Sequence, residues 1–336
     1  MKKEMAHDLW RVLYSLSAEL KELEPWKELC DVDLIGVQEP DWEEPVFFSI
    51  LGKQGECYGI VGYRGTPGLA AMQQLLECEE DPYLLRTAMA EQEALVCYWG
   101  NREEVPPDQY REIKKLGFHF RGRGQWPYFL SMEPYYMADT PDTGEAEILA
   151  AAYVHLIDAI KALREGRVKV DFAQGEYLLV SFDEKGKSRM MAAARLPYVE
   201  VSYSPIQITD ELLLRRLKNQ PVRPIELMMD IAYLPGAVKD SERDKMSRIR
   251  IFLCLDRSSG SALCAELLEQ EGDEIDIMMD FLLSWIEEEG RPVCILARQM
   301  IVLDLLKDVC KELNIKLKKE RLPQIDQFLK GLECRL

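Results

Sequence analysis

Several common functional signatures are missing from these 336 residues. The only histidines are His7, His119 and His155, and their spacing matches no zinc-binding pattern. The nine cysteines are odd in number, include no C-x-x-C pair and lie mostly in apolar stretches, which predicts buried thiols in a reducing compartment. No serine or cysteine has the flanking residues of a known nucleophile. We therefore predict no covalent catalysis, no metal site and no cofactor.

The sequence also lacks long apolar runs and an excess of basic residues. No apolar stretch approaches the roughly 20 residues that a membrane-spanning helix needs. The charged start, Met1 to Asp8, does not resemble a secretory signal, so we expect an uncleaved cytoplasmic protein without a membrane partner. With 42 Lys and Arg against 59 Asp and Glu, the net charge is −17, which argues against general nucleic-acid binding.

What the sequence does contain is well-patterned apolar residues, at 47% of the chain. Helical spacing predicts an amphipathic helix from Leu9 to Leu23, and β-rich runs and shorter helices follow it. Residues 1–204 are therefore predicted to form an α+β domain. Its closing hairpin is predicted from strands at Tyr177 to Phe182 and Arg189 to Tyr203, with a turn at Lys185-Gly186-Lys187. The stretch from Ser204 to Pro224 contains three prolines and a short charged helix, which is typical of a connector between domains. We place this connector at residues 205–222.

The remaining residues, 223–336, show the predicted order β-β-β-α-β-α-β-α. Together with the stretch "RIRIFLCLDRSSGSALCAELLEQ", this order resembles the ribonuclease H-like fold of nucleases and retroviral-type integrases. The resemblance implies an α/β ribonuclease H-like domain. The whole chain also resembles a family of uncharacterised bacterial two-domain proteins, through "LGKQGECYGIVGYRGTPGL" and "KLGFHFRGRGQWPYFLSMEP", which implies a bacterial cytoplasmic setting.

Catalysis in a ribonuclease H-like fold needs carboxylates that converge on divalent metals. The resemblance places Asp230 on the opening strand and Asp326 on the final helix as candidate catalytic acids. Where a third acid is expected, after the fourth strand, the chain has Ala297-Arg298-Gln299, and an arginine there would repel metals. We therefore favour a non-catalytic interaction or adaptor protein with a degenerate ribonuclease H-like domain.

A metal-dependent phosphodiester hydrolase or strand-transfer enzyme is the alternative. It would require a third acid from elsewhere, such as Glu226 or Asp256, although Asp256 is also explained as a turn residue. Three carboxylates that converge on one point would favour this alternative.

A basic segment from Arg111 to Arg123 is opposed by Glu112 alone and is followed by Trp126. Cations beside aromatic rings hold phosphates, carboxylates or stacked bases. We predict that Arg121, Arg123 and Trp126 form a contact surface for a protein or an anionic partner, with a solvated loop as the plain alternative.

Glycines from Gly62 to Gly68, with Arg64 among them, lie between a predicted strand and a predicted helix. Backbone N–H groups at a helix start bind anions. This arrangement gives a third hypothesis, a protein that binds a small anionic ligand and uses Arg64, although the glycines match no known phosphate-binding motif.

Overall fold

The structure is a computed structural model, which describes residues 7–78, 81–183, Gly186, 188–269 and 272–334. The chain divides into two compact units, with the change of unit between Val199 and Glu200. Two earlier segments, Glu77–Ala90 and Tyr135–Met137, also belong to the second unit. These two segments have no counterpart in the predicted domain boundaries, which stay a prediction.

The elements up to Arg195 include both helices and strands. In chain order they are α1 (His7–Leu23), β1 (Ile35–Val37), β2 (Val46–Leu51), β3 (Gly59–Arg64), α2 (Gly65–Glu77), α3 (Pro82–Ala90), β4 (Ala94–Gly100), α4 (Pro107–Lys115), β5 (Trp126–Met132), α5 (Thr143–Arg164), β6 (Glu176–Phe182) and β7 (Arg189–Arg195). Of these, α3 belongs to the second unit.

The first unit is built on a seven-stranded sheet in the order β5-β4-β3-β2-β1-β6-β7. Strands β1 and β6 are parallel, and the other neighbours are antiparallel. Helices α1 and α5 cover one face, where Tyr14 packs on Phe129 and Tyr153 packs on Phe48. Helix α2 covers the other face, where Leu69 packs with Val61. Strands β1 to β4 are mostly buried because apolar side chains project from both faces, whereas the edge strand β7 is largely exposed.

The second unit continues the chain with one further set of elements. They are α6 (Glu211–Lys218), β8 (Val222–Asp240), β9 (Lys245–Asp256), β10 (Ala262–Leu268), α7 (Asp273–Glu289), β11 (Arg291–Ala297), α8 (Met300–Glu312), β12 (Lys316–Lys319) and α9 (Pro323–Glu333). From β8 onward the order is β-β-β-α-β-α-β-α, as the sequence predicts.

The sheet of the second unit has the order β10-β9-β8-β11-β12. The first three strands form antiparallel pairs, while β11 is parallel to both β8 and β12. Helices α6, α7 and α8 pack on one face and α9 packs on the other. Odd residues of β8, such as Met229, face the first layer, and even residues, such as Met228, face α9. A mixed α/β chain with two sheets results.

Some sequence predictions differ from the structure at element ends. The strand expected to run to Tyr203 ends at Arg195, shortly before Pro197, because proline has no backbone N–H to donate to a sheet. Residues 205–222 lie in the second unit, where Leu217 of α6 is fully buried, and their role as a connector stays a prediction. The hairpin of β6 and β7 forms, but Lys185 and Lys187 of its predicted turn lie outside the described residues.

The nine cysteines are free, and the sequence-based prediction of buried thiols holds for four of them. Cys57 and Cys334 are exposed, and the other three are partly buried. Within the described parts of the chain, no helix combines the length and apolar composition that crossing a bilayer requires.

Candidate functional site

Asp230 and Arg298 lie side by side in the second sheet. Asp230 occupies the buried middle of β8, on the same face as Met228 and Ala232, which pack with α9. Strand β11 pairs with β8 so that Leu296 lies opposite Met228. Because side chains alternate along a strand, Arg298, two residues beyond Leu296, reaches the same face beside Asp230.

The guanidinium of Arg298 lies between the two candidate catalytic acids. Its Nε is 2.8 Å from Asp230 Oδ2, and its Nη2 donates to the same oxygen. Its Nη1 is 2.6 Å from Asp326 Oδ1, on α9. The side chain of Asp230 is 0% exposed, that of Arg298 is 4% exposed and that of Asp326 is 27% exposed. This is a buried, charge-assisted hydrogen-bonded group.

Three residues that the sequence analysis did not propose as site residues complete the arrangement. Gln299 Nε2 donates to Asp230 Oδ1 at 2.7 Å. Asp81 Oδ1 lies 3.9 Å from Arg298 Nη1 and accepts hydrogen bonds from the first backbone N–H groups of α3. Tyr83 places its ring 4.9 Å from the Arg298 guanidinium carbon. We call Arg298, Gln299, Asp230, Asp326, Asp81 and Tyr83 the Arg298 cluster.

The pKa of Asp230 reflects two opposing influences. Burial raises the pKa of this carboxyl, and the hydrogen-bonded Arg298 guanidinium and Gln299 amide oppose the rise. Taking a carboxylate out of water is costly unless a cation and hydrogen bonds replace its hydration. Arg298 and Gln299 therefore supply what the buried Asp230 carboxylate needs.

The donor set of the Arg298 cluster does not fit a divalent metal. Such an ion requires several oxygen ligands with free lone pairs around one open position. Both oxygens of Asp230 already accept hydrogen bonds, and the Arg298 cation stands between Asp230 and Asp326. Across the described residues, no group of three or more His, Cys, Asp or Glu is placed to bind a metal.

The two candidates for a third catalytic acid, Glu226 and Asp256, form other interactions. Glu226 Oε2 is 3.0 Å from Arg257 Nη1. Asp256 accepts hydrogen bonds from the Ser258 backbone N–H, at 2.9 Å, and from the hydroxyls of Ser258 and Ser259. Asp256 is therefore a turn residue, and neither acid joins Asp230.

The glycine-rich start of α2 already holds an internal anion. Glu44 Oε2 accepts from the Thr66 backbone N–H at 2.9 Å, and Glu44 Oε1 accepts from the Thr66 hydroxyl. These hydrogen bonds lower the pKa of Glu44. Arg64 lies near Glu93 and Glu145, with nitrogen to oxygen distances of 3.4 and 3.7 Å. A carboxylate of the chain itself thus takes the position that the sequence analysis assigned to a small anion.

Arg121 and Arg123 lie in the loop between α4 and β5, and both are exposed. Trp126 opens β5 and is half-buried, with its ring centre 5.8 Å from that of Tyr110 and 6.0 Å from that of Phe120. The structure therefore presents the two arginines to solvent, while Trp126 packs against the aromatic part of the core.

Two family models match the chain, one in each half. The domain of unknown function DUF7309 matches residues 10–180, and the domain of unknown function DUF6930 matches residues 213–333. Because the first match spans just over half of the chain, the chain belongs to the DUF7309 family. No curated protein matches the chain.

Solved structures similar to part of the chain include retroviral integrases. The catalytic core domain of the HTLV-2 integrase, in complex with magnesium, is 12% identical with a TM-score of 0.25, covering 35% of this chain and 72% of that one. A simian T-cell lymphotropic virus intasome, in complex with the PP2A regulatory subunit B56 gamma, is 20% identical with a TM-score of 0.24, covering 35% and 42%. TM-scores this low do not define a shared fold.

Proposed function

We propose that this chain is a non-catalytic interaction or adaptor protein whose second unit is a degenerate ribonuclease H-like domain. The fold assignment is supported by the element order and by the strand order β10-β9-β8-β11-β12, with three antiparallel strands followed by two parallel ones. The cytoplasmic location and the bacterial setting stay predictions.

One observation carries the proposal: the Arg298 guanidinium lies between Asp230 and Asp326. A hydrolase of this fold needs these acids to share metal ions that stabilise the attacking and leaving oxygens. Here the two acids share a protein cation instead. Displacing Arg298 would leave Asp230 buried without its counter-charge, which is strongly unfavourable.

The two alternative functions have less support. The hydrolase or strand-transfer hypothesis requires a third acid near Asp230, and Glu226 and Asp256 are both engaged elsewhere. The small-anion hypothesis requires free backbone N–H groups at the start of α2, and Glu44 accepts a hydrogen bond from the Thr66 N–H.

The test is a calorimetric titration of Mn²⁺ and Mg²⁺ into the full chain, together with assays for cleavage of single- and double-stranded oligonucleotides. We expect wild type and Asp230→Asn to give the same heats and no cleavage. Asp280→Asn, which makes the same chemical change on an exposed position of α7, is the matched control. Metal binding by wild type that disappears in Asp230→Asn but persists in Asp280→Asn, with metal-dependent cleavage, would overturn the proposal.

A further inference from the structure

Five exposed cations cluster around α4 and the loop that follows it. They come from the short turn after β4, from α4 and from the 118–125 loop, and they are Arg102, Arg111, Lys114, Arg121 and Arg123. Aromatic contacts connect these segments, because Tyr110 of α4 packs on Trp126, and Trp126 packs on Phe120 of the loop. We call these five residues the cationic surface.

None of the five cations forms an ion pair with a carboxylate in the described part of the chain. Their neighbour Lys115 does pair, with its Nζ 2.6 Å from Glu112 Oε1. In a chain of net charge −17, acidic partners are abundant, so five exposed cations without an ion pair among the described residues are unusual. Exposed guanidinium groups without internal partners are available to bind anions.

The aromatic rings of this region are already covered. Arg102 and Lys114 lie over the Tyr110 ring, at 5.2 and 4.6 Å from its centre. Trp126 is half-buried between Tyr110 and Phe120. Nucleic-acid bases bind such surfaces by stacking on open aromatic faces, whereas here two cations lie over Tyr110 and the Trp126 ring packs against its neighbours. The available chemistry is recognition of anionic groups by charge and by the planar guanidinium fork.

The loop that carries Arg121 and Arg123 is anchored from two sides. Lys21 Nζ donates to the carbonyl oxygen of Gly124, and the Gly124 N–H donates to Asn101 Oδ1 at 3.3 Å. Gly124 has φ 63°, in the left-handed region that glycine adopts at little cost. Anchoring of this kind lowers the entropy lost on binding, because the loop is already ordered.

Lys21 itself is held in an aromatic cage. Its Nζ lies 5.6, 5.2 and 5.5 Å from the ring centres of Trp26, Tyr58 and Trp99. Cation–π attraction from three rings fixes the ammonium group beneath the loop. Lys21 therefore acts on the cationic surface through the backbone of Gly124, as a positioning residue.

We propose that the cationic surface binds an acidic protein segment, a run of Asp and Glu side chains, and that Lys21 positions the arginine loop for it. This inference rests on the proposed adaptor function and names its partner class. A short acidic segment contacts only the local cations, whereas a nucleic acid extends phosphates past the surface and meets the repulsion of the acidic remainder.

Fluorescence anisotropy with a labelled oligoglutamate peptide and the full chain tests the proposal at low ionic strength. Arg121→Gln/Arg123→Gln is expected to weaken peptide binding about tenfold, because two exposed charge-assisted contacts are lost. Lys316→Gln/Lys318→Gln removes two exposed cations of β12 that form no ion pair with any described residue, and it should leave peptide binding unchanged. Wild-type binding should weaken as salt is added.

Three outcomes would overturn the inference. The first is that wild type does not bind the peptide, and the second is that both double variants lose the same amount of peptide affinity. The third is that wild type binds oligothymidylate more strongly than oligoglutamate and that Arg121→Gln/Arg123→Gln abolishes the oligothymidylate binding. The last outcome would assign the surface to single-stranded nucleic acid. None of these measurements involves metal or cleavage, so failure here is distinguishable from failure of the non-catalytic proposal.

The positioning role of Lys21 has its own test. Lys21→Met should weaken oligoglutamate binding about threefold and speed backbone amide exchange in the 122–125 loop, since the tether to Gly124 is lost. Lys21→Arg keeps a cationic donor and should restore both values. If Lys21→Met keeps the peptide affinity and the amide exchange rates of wild type, this role is contradicted.

Discussion

Arg298 in the second unit and Arg121 and Arg123 in the first carry the same guanidinium group in opposite surroundings. Arg298 is 4% exposed, donates to Asp230 and Asp326, and lies against the Tyr83 ring. Arg121 and Arg123 are exposed and have no carboxylate partner among the residues described. The difference lies in whether the chain itself supplies the counter-charge.

This difference separates a structural cation from a binding cation. A buried arginine whose partners come from β8 and α9 stabilises the fold and has little capacity left for a ligand. An exposed arginine on an anchored loop adds little to stability and keeps its donors available. Glu44 parallels Arg298. Arg298 lies between two acids that were expected to bind a metal cation, and Glu44 accepts the N–H that was expected to bind a ligand anion.

Arg298→Ala should have the largest effect on stability. We expect the free energy of unfolding to fall by about 3 to 5 kcal/mol, because the variant leaves Asp230 buried without its cation. Urea denaturation followed by circular dichroism measures the change. Arg257→Ala is the control: its ion pairs with Glu226 and Glu320 are 36 to 40% exposed, so it should cost less than about 1 kcal/mol. Equal losses would contradict the structural role.

The loss in Arg298→Ala should also depend on pH. Without the guanidinium, burial raises the pKa of Asp230 with no opposing cation. A carboxyl whose pKa is raised on folding contributes most favourably below its unfolded pKa of about 3.9, and the penalty grows as pH rises through the folded pKa. Denaturation curves at several pH values should show a smaller deficit near pH 4 than at pH 8. A deficit that is constant with pH would exclude Asp230 as its cause.

The next largest effect should be the coupling between Asp230 and Arg298. In a double-mutant cycle, Arg298→Met should cost less in an Asp230→Asn background than in wild type, since the neutral amide needs no counter-charge. We expect a coupling energy of about 1 to 3 kcal/mol from urea denaturation of the four proteins. The pair Asp280→Asn and Arg298→Met should show none, because Asp280 is exposed on α7. Additive effects at Asp230 and Arg298 would mean that the two residues act independently.

Much of the Arg298 cluster could be anticipated from the sequence. The element order placed Asp230 on the opening strand, Asp326 on the last helix and Arg298 after the fourth strand, and in a sheet with β8 beside β11 these positions converge. Asp81 and Tyr83 could not be anticipated in this role, because their segment lies in the chain between strands of the first sheet. The Asp81-Pro82 pair is a helix-start signal, but it predicts only local structure.

The first unit was less predictable for a different reason. The basic segment and its aromatic neighbours are visible in the sequence, but which cations have acidic partners depends on contacts distant in the chain. Lys21 illustrates this point, since it reaches Gly124 and three aromatic rings from separate elements. Local pattern gives the elements, while side-chain partners follow from tertiary packing.

Glu44→Gln should have a moderate effect. It weakens the charge-assisted hydrogen bond to the Thr66 N–H at the start of α2, and we expect a loss of about 1 kcal/mol or less in urea denaturation. Because those bonds lower the pKa of Glu44, its contribution is present above the unfolded pKa and is lost as pH falls through the folded pKa. The difference from wild type should therefore shrink in acid. Glu43→Gln, which changes the exposed neighbouring residue, is the control. An equal loss of stability in Glu43→Gln would contradict the role of Glu44 as acceptor for the Thr66 N–H.

Arg121→Gln/Arg123→Gln should change stability least. Neither arginine has a carboxylate partner among the described residues, so removing both charges should leave the free energy of unfolding within about 0.5 kcal/mol of wild type. Thermal denaturation and urea denaturation both measure this. A loss comparable to that of Arg298→Ala would show that the arginines are structural and would remove the contrast between the two regions. If Arg121→Gln/Arg123→Gln keeps wild-type stability but fails to bind oligoglutamate, the two arginines act in binding and not in stability. Stability would then depend on Arg298, and affinity on Arg121 and Arg123.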